Sequence, residues 1–151
     1  MITRGLSEPS GTIRDKVFIG SSILFNILVS TVYVLTKLDQ MALVRAIGVP
    51  IIMLMAPFTY TLNGFLRNKE DKQIIISNFL IILYLLVELF LDYVLLIPFR
   101  EIYAIHIPYI LVFYAAEFSI IRVSFKLNRR MGFVVLATFF LLILCLIYSY
   151  L

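Results

Sequence analysis

Apolar residues run along this chain in five long blocks, at positions 17–36, 44–66, 74–97, 102–121 and 131–151. Short polar breaks part them at 37–43, 67–73, 98–101 and 122–130. An α-helix rises 1.5 Å per residue, so about 20 apolar residues cross the hydrocarbon core of a bilayer. The blocks have that length. They predict an all-α, polytopic membrane bundle of five transmembrane helices, a single transmembrane domain over 1–151 with a polar tail at 1–16. The third and fourth blocks nearly merge. Pro98 removes a backbone donor there, and Arg100 and Glu101 favour an interface, which predicts a tight hairpin.

The basic residues orient the bundle. With five crossings, Arg4, Arg14, Lys16, Arg67, Lys69, Lys72, Arg122, Lys126, Arg129 and Arg130 share one compartment. Only Lys37, Arg45 and Arg100 fall in the other. Positive charge is retained on the cytoplasmic side, so the N-terminus is expected in the cytoplasm and the C-terminus outside. Four crossings would break this alternation, and the bias also argues against an antiparallel, dual-topology dimer. A cleaved signal peptide would explain the basic start, but its apolar core is roughly 7–15 residues long and ends at a small-residue cleavage site. Block 17–36 is longer and no such site follows in 37–40, so a retained helix is expected.

Composition agrees. Of 151 residues, 62% are hydrophobic and 15% charged, against about 45–50% and 25% in an average soluble chain. Mean hydropathy is +1.04. Too few charges exist to cover a soluble surface, and with the longest polar stretch at 1–16 no soluble domain is expected. Disorder, a nucleic-acid partner and a disulfide scaffold fall together, since they need low hydrophobicity, clustered surface charge or many cysteines. Cys145 is alone and reads as a packing or lipid-facing residue. The expected location is a membrane, the cytoplasmic or plasma membrane in a prokaryote, and the expected surroundings are membrane lipids.

Within the blocks, polar residues recur at helical spacing. The first carries Ser22, Asn26, Ser30, Tyr33 and Lys37, the second Tyr60, Asn63 and Arg67. The third carries Ser77, Tyr84, Glu88 and Asp92, the fourth His106, Glu117 and Ser124. The fifth shows only Thr138, Cys145 and Ser149. Helices 1 to 4 are therefore expected to face one another around a polar interior. Helix 5 is expected at the edge, as a brace or as the contact with a second copy or a partner membrane subunit. Pro50 and Pro57 leave the carbonyls of Ala46 and Met53 without donors, which reads as a kink.

Depth selects the candidates. Asn26 is mid-span and Glu88 just past the middle of its own. A charged carboxylate near the midplane costs about 2.5–3.5 kcal/mol even on an insertion scale, so Glu88 must be neutral, paired or wetted. Asp92 follows one turn on, and two carboxylates so placed can share one proton. Helix 4 has two registers. Starting near Ile102, it sets His106 level with Asp92 and Glu117 near Arg122. Starting at Pro108, it sets Glu117 beside Glu88 and His106 at the interface. The candidate ligand- or proton-binding set is Glu88, Asp92, Glu117, His106, Asn26 and Tyr84, with no metal ligand set and no cofactor expected.

No nucleotide loop, zinc-protease motif, paired-cysteine motif or nucleophile elbow is present. Three functions compete. A small binding or translocating protein would hold a proton, cation or small amphiphile near Glu88. A non-catalytic subunit or assembly factor would use its buried polar groups to specify helix pairing. An intramembrane lipid-modifying enzyme would use Glu88 and Asp92 with His106 or Glu117 as acid, base or metal ligands. The first is the expectation, because deep carboxylates occur without a strong nucleophile and the loops offer little to a head group.

Overall fold

The computed structural model describes residues 13–151; residues 1–12, most of the tail expected at 1–16, lie outside the described residues. Every regular element among those described is helical. The order is α1 (Ile13–Lys37), α2 (Met41–Met53), α3 (Met55–Arg67), α4 (Lys72–Glu88), α5 (Tyr103–Leu127) and α6 (Arg129–Tyr150). A π-helical turn, Leu89–Val94, extends α4, and a 3₁₀ turn, Phe99–Glu101, precedes α5. With α2 and α3 as one span, five helices are long and apolar enough to cross a membrane: Ile13–Lys37, Met41–Arg67, Lys72–Val94, Tyr103–Leu127 and Arg129–Tyr150.

Local chemistry fixes the boundaries. The second span breaks at Leu54, where Pro57 cannot donate to the Met53 carbonyl and the Leu54 N–H instead bonds the carbonyls of Pro50 and Ile51, both at 3.2 Å. Two helices close with the paired reverse bonds of a left-handed C-terminal turn. Gln40 N–H reaches Leu35 O at 2.9 Å beside Asp39 (φ 57°), and Glu70 N–H reaches Phe65 O at 3.0 Å beside Lys69 (φ 49°). Asp71 caps α4 through Gln73 N–H at 3.2 Å.

The break expected at 122–130 shrinks to Asn128. The fourth helix continues to Leu127 because Val123 and Ser124 still face the core, and Lys126 finds Asp71 Oδ2 at 3.0 Å and Gln73 Oε1 at 2.9 Å. Asn128 caps α6 by accepting from Arg130 N–H and Met131 N–H, at 3.0 and 3.3 Å. The Lys126 hydrogen bond holds the exposed Asp71 carboxyl below its ordinary pKa. At this corner Phe125 packs against Gly132, where a Cβ would collide with the Phe125 ring and backbone.

α1 is the central post. In its most apolar stretch 44% of residues are buried, against 17% in the second span. The fifth span braces this post: α6 packs along α1 more extensively than any other pair of helices does, burying Gly132, Val135, Phe139 and Leu142, while only 22% of its own most apolar stretch is buried. Val135 and Thr138 of α6 lie beside Asn26 of α1, and the second span is the least buried of the five.

Two aromatic clusters fill the core. Phe18 meets Phe58 and Phe65 edge-on at 5.6 and 6.0 Å, under the Arg14 guanidinium. Phe25, Tyr84 and Phe113 form the other, with Tyr84–Phe113 at 5.3 Å. Arg14 also binds Glu70 at 3.4 Å, so the start of α1 shares an end of the bundle with Asp71 and Lys126. Arg100 and Arg45 lie at the other end, where Tyr93 donates to the Arg45 carbonyl at 2.9 Å.

Candidate functional site

The polar residues of the spans gather in three clusters. The first lies where α4 ends, at the Arg100 end of the bundle. Glu88 Oε2 accepts a hydrogen bond from Tyr109 of α5 at 2.5 Å, and a longer one from Tyr84 at 3.4 Å. The two phenol oxygens are 3.0 Å apart. From the 3₁₀ turn Arg100 reaches back, binding Asp92 through two parallel bonds of 3.1 and 3.2 Å and standing 3.6 Å from Glu88 Oε1. The π-helical turn beginning at Leu89 carries Asp92 to this position beside Glu88. Such turns are rare and frequent at functional sites.

Accessibility rises outward through the cluster. The side chains of Glu88, Asp92 and Arg100 are 13%, 26% and 54% exposed, so a path of charge leads from a nearly buried carboxylate to the surface. Partial burial works against a charge on Arg100, but the Asp92 hydrogen bonds and the negative charges around it raise its pKa above the ordinary arginine value. Its guanidinium lies 4.5 Å over the Phe99 ring. Leu96, between the π-helical turn and Pro98, has φ 52°, a left-handed conformation that costs a branched side chain about 1–2 kcal/mol.

The second cluster surrounds Glu117. Its side chain is fully buried and faces Asn26 of α1. The Asn26 amide nitrogen faces Glu117 Oε1 and Oε2, each at 3.1 Å, and its oxygen accepts from Thr138 of α6 at 2.9 Å. The opposite amide orientation would set oxygen against oxygen. One amide thus ties three helices. Glu117 lies eight residues beyond Tyr109 on α5, about 12 Å along the axis, so it is not part of the Glu88 cluster.

The third cluster is small and was not among the candidates. Asn78 of α4 lays its amide against α3, donating to Phe58 O at 3.2 Å and accepting from Leu62 N–H and Thr61 Oγ1 at 3.1 and 2.8 Å. The face expected inward on this span, Tyr60, Asn63 and Arg67, is exposed. Phe58, Thr61 and Phe65 turn inward instead, because two phenylalanines against Phe18 bury more apolar area than the mixed stripe would.

Of the six candidates, Glu88, Asp92 and Tyr84 meet at one site, and Asn26 and Glu117 meet at another. His106 stands beside the first. Helix 4 starts at Tyr103, the earlier of its two registers, and the His106 ring stacks on Tyr109 with centroids 6.3 Å apart. His106 Nδ1 is buried without a hydrogen-bond partner. Among the described residues, no three His, Cys, Asp or Glu side chains converge so as to hold a metal ion.

Sequence reasoning passed over Tyr109 and Arg100 as site residues. Tyr109 lies on the same helical face as His106, Phe113 and Glu117, a signal that was available. Arg100 reaches Glu88 only because the chain reverses between Val94 and Phe99, which no periodicity reveals. The Ser22 and Ser30 hydroxyls do point inward, but each bonds the carbonyl one turn back in α1, Phe18 O and Asn26 O, at 2.8 and 2.7 Å. They are satisfied by their own helix. No family model, no curated protein and no solved structure matches this chain, so the geometry of its own residues is what speaks to function.

Proposed function

We propose that this chain is a small multi-pass membrane protein that binds and passes a proton or small monovalent cation at the Glu88 site. One observation carries the reading: two carboxylates, Glu88 and Asp92, share the single guanidinium of Arg100 while two phenols cradle the deeper one. With all three groups ionised the cluster holds one uncompensated negative charge. A proton or a monovalent cation supplies the missing positive charge, and in a low-dielectric setting the demand for it is strong. Tyr84 and Tyr109 offer further oxygens within hydrogen-bonding reach, and Arg100 can swing toward solvent because it is half exposed.

In this reading the basic end, with Arg14, Arg67, Lys126 and Arg129, is cytoplasmic, as the positive-inside rule asks. The N-terminus is then inside, and the Glu88 site lies toward the outer face. The test is flux in vesicles. Purified protein is reconstituted with a pH-sensitive dye trapped inside, and a potassium diffusion potential drives protons. Wild-type protein should collapse the imposed gradient faster than empty vesicles, and Glu88→Gln should return the rate to the empty-vesicle level. Equal rates for wild type and Glu88→Gln, with protons and with sodium or potassium as the driven ion, would sink the proposal.

A further inference from the structure

A groove of about 320 Å³ runs between α4 and α5 at the basic end of the bundle, well away from Glu88. That volume is within the range of small-ligand sites, roughly 300–1,000 Å³. Ile76, Leu80, Ala115 and Phe118 form its apolar part, Ser77 and Ser119 lie deeper, and Gln73 and Arg122 stand at its rim. Ile76 and Phe118 are 59% and 62% exposed, so the groove opens sideways, toward where lipid would be. Ala115 and Ser119 keep α5 thin here.

Three polar features distinguish it from an ordinary lipid-facing furrow. Arg122 is exposed and makes no ion pair among the described residues, although neighbouring Lys126 is engaged by Asp71 and Gln73. Gln73 spends its carbonyl oxygen on Lys126, which leaves the amide nitrogen free to donate. Ser77 and Ser119 line the groove yet make no hydrogen bond among the described residues, unlike Ser22 and Ser30. Ser119 lies three residues inward from Arg122, and Ser77 four residues inward from Gln73. They are thus about 4.5 and 6 Å below the rim.

From this arrangement we infer that the α4–α5 groove is a binding site for one anionic phospholipid. An acyl chain runs past Ile76 and Phe118 onto Leu80 and Ala115. The ester carbonyls, one turn below the head group, accept from Ser77 and Ser119, and the phosphate takes the unpaired charge of Arg122 with a hydrogen bond from Gln73. A phospholipid presents anion, acceptor and alkyl chain in that order along its length, and the groove presents Arg122 at its rim, the donors Ser77 and Ser119 one turn in, flanked by Ile76 and Phe118, and the apolar Leu80 and Ala115 about 10 Å in.

Native mass spectrometry of the detergent-purified protein tests this, with palmitoyl-oleoyl phosphatidylglycerol and phosphatidylcholine added in equal amounts and inorganic phosphate as a head-group control. Wild-type protein should hold one phosphatidylglycerol in preference to phosphatidylcholine by about fivefold, the effect of one basic side chain at an anionic lipid surface. Arg122→Gln should bring the ratio to about one, while Arg129→Gln, which changes the same net charge outside the groove, should leave it unchanged. Ala115→Phe fills the furrow and should abolish the retained lipid of both kinds. Equal retention of the two lipids by wild type overturns the proposal, as does an unchanged ratio in Arg122→Gln. Full lipid retention by an Ala115→Phe protein with normal helix content also overturns it. An effect reproduced by inorganic phosphate would show an anion site with no role for the chain, and would overturn it too.

Discussion

The Asn26 amide offers the sharpest test of how this bundle is held together. Replacing Glu117 by leucine removes both carboxylate oxygens that face Asn26 at 3.1 Å and leaves the amide nitrogen inside the bundle without its partner. A buried polar group stranded this way costs about 1–3 kcal/mol. Interhelical hydrogen bonds in membranes are worth less, about 0.6 kcal/mol on average and up to about 1.7, because the unfolded reference state finds partners too. Between these limits, Glu117→Leu should destabilise by about 1–2 kcal/mol. Asn26→Leu alone should cost a similar amount, since it strands a carboxyl with no basic partner.

The double variant should cost less than the sum, because two leucines replace two polar groups that no longer need each other. The expected coupling is about 1 kcal/mol. Reversible unfolding in mixed micelles, followed by helix content against rising denaturing-detergent fraction, measures all four corners of this cycle. Glu117→Gln should stay close to wild type, because its amide oxygen still accepts from Asn26. Strict additivity of the two leucine variants, or a Glu117→Gln protein as unstable as Glu117→Leu, would refute the assignment of Asn26–Glu117 as an interhelical lock.

Four further outcomes follow from the geometry. Tyr109→Phe should weaken proton or cation handling more than Tyr84→Phe, and lower stability by about 0.5–1.5 kcal/mol, because its bond to Glu88 is 2.5 Å against 3.4 Å; equal effects in the flux assay would contradict the unequal distances. Leu96→Gly should raise the unfolding free energy by up to about 1 kcal/mol, by relieving a left-handed leucine; a loss of stability would place the strain elsewhere. With Cys145 replaced, Asp39→Cys and Glu101→Cys should react with an impermeant thiol reagent from outside, whereas Asn68→Cys and Asn128→Cys should not; labelling of the latter pair would reverse the proposed orientation. Asp71, held below its ordinary pKa by Lys126, is stabilising above the unfolded carboxylate value near about 4 and loses that contribution as pH falls through its lowered folded value. An acid titration of stability should therefore lose its lowest-pH limb in Asp71→Asn, and an unchanged profile would show that the pair does not form.

The five long apolar helices are legible because the length that crosses a bilayer is written directly as the length of an apolar block. The hairpin at Pro98 was legible for a similar reason, since proline and two charges have one good place to go. Positions of helices relative to one another were not. Thr138 looks like a stray polar residue on an apolar helix until α6 lies against α1 and gives it Asn26. On the second span a polar stripe at Tyr60, Asn63 and Arg67 competes with an aromatic seam at Phe58 and Phe65, and the seam turns inward. In a membrane both faces satisfy hydropathy, so packing decides. Glu88 and Asp92 were found by depth and spacing alone, whereas their cation, Arg100, belongs to a turn whose shape depends on the π-helical widening after Glu88. Depth is written in the sequence; the company a side chain keeps at that depth is a property of the assembled bundle.

The pairing of α1 with α6 also sets an order of events during synthesis. α1 and α6 both start at the end of the bundle that holds Glu70, Asp71 and Lys126 and so run parallel, and α1 waits for its principal neighbour until about ninety further residues have been made. At roughly 5–20 residues per second that wait is on the order of 5–20 s. For most of it the Asn26 amide has neither Glu117 nor Thr138 beside it, and once α5 is made it has Glu117 alone until Thr138 follows on α6. Among the described helices the one made after all the others, α6, is therefore the one that seals α1, and a chain interrupted before residue 129 keeps α1 to α5 while leaving the central post of the fold uncovered on its broadest side.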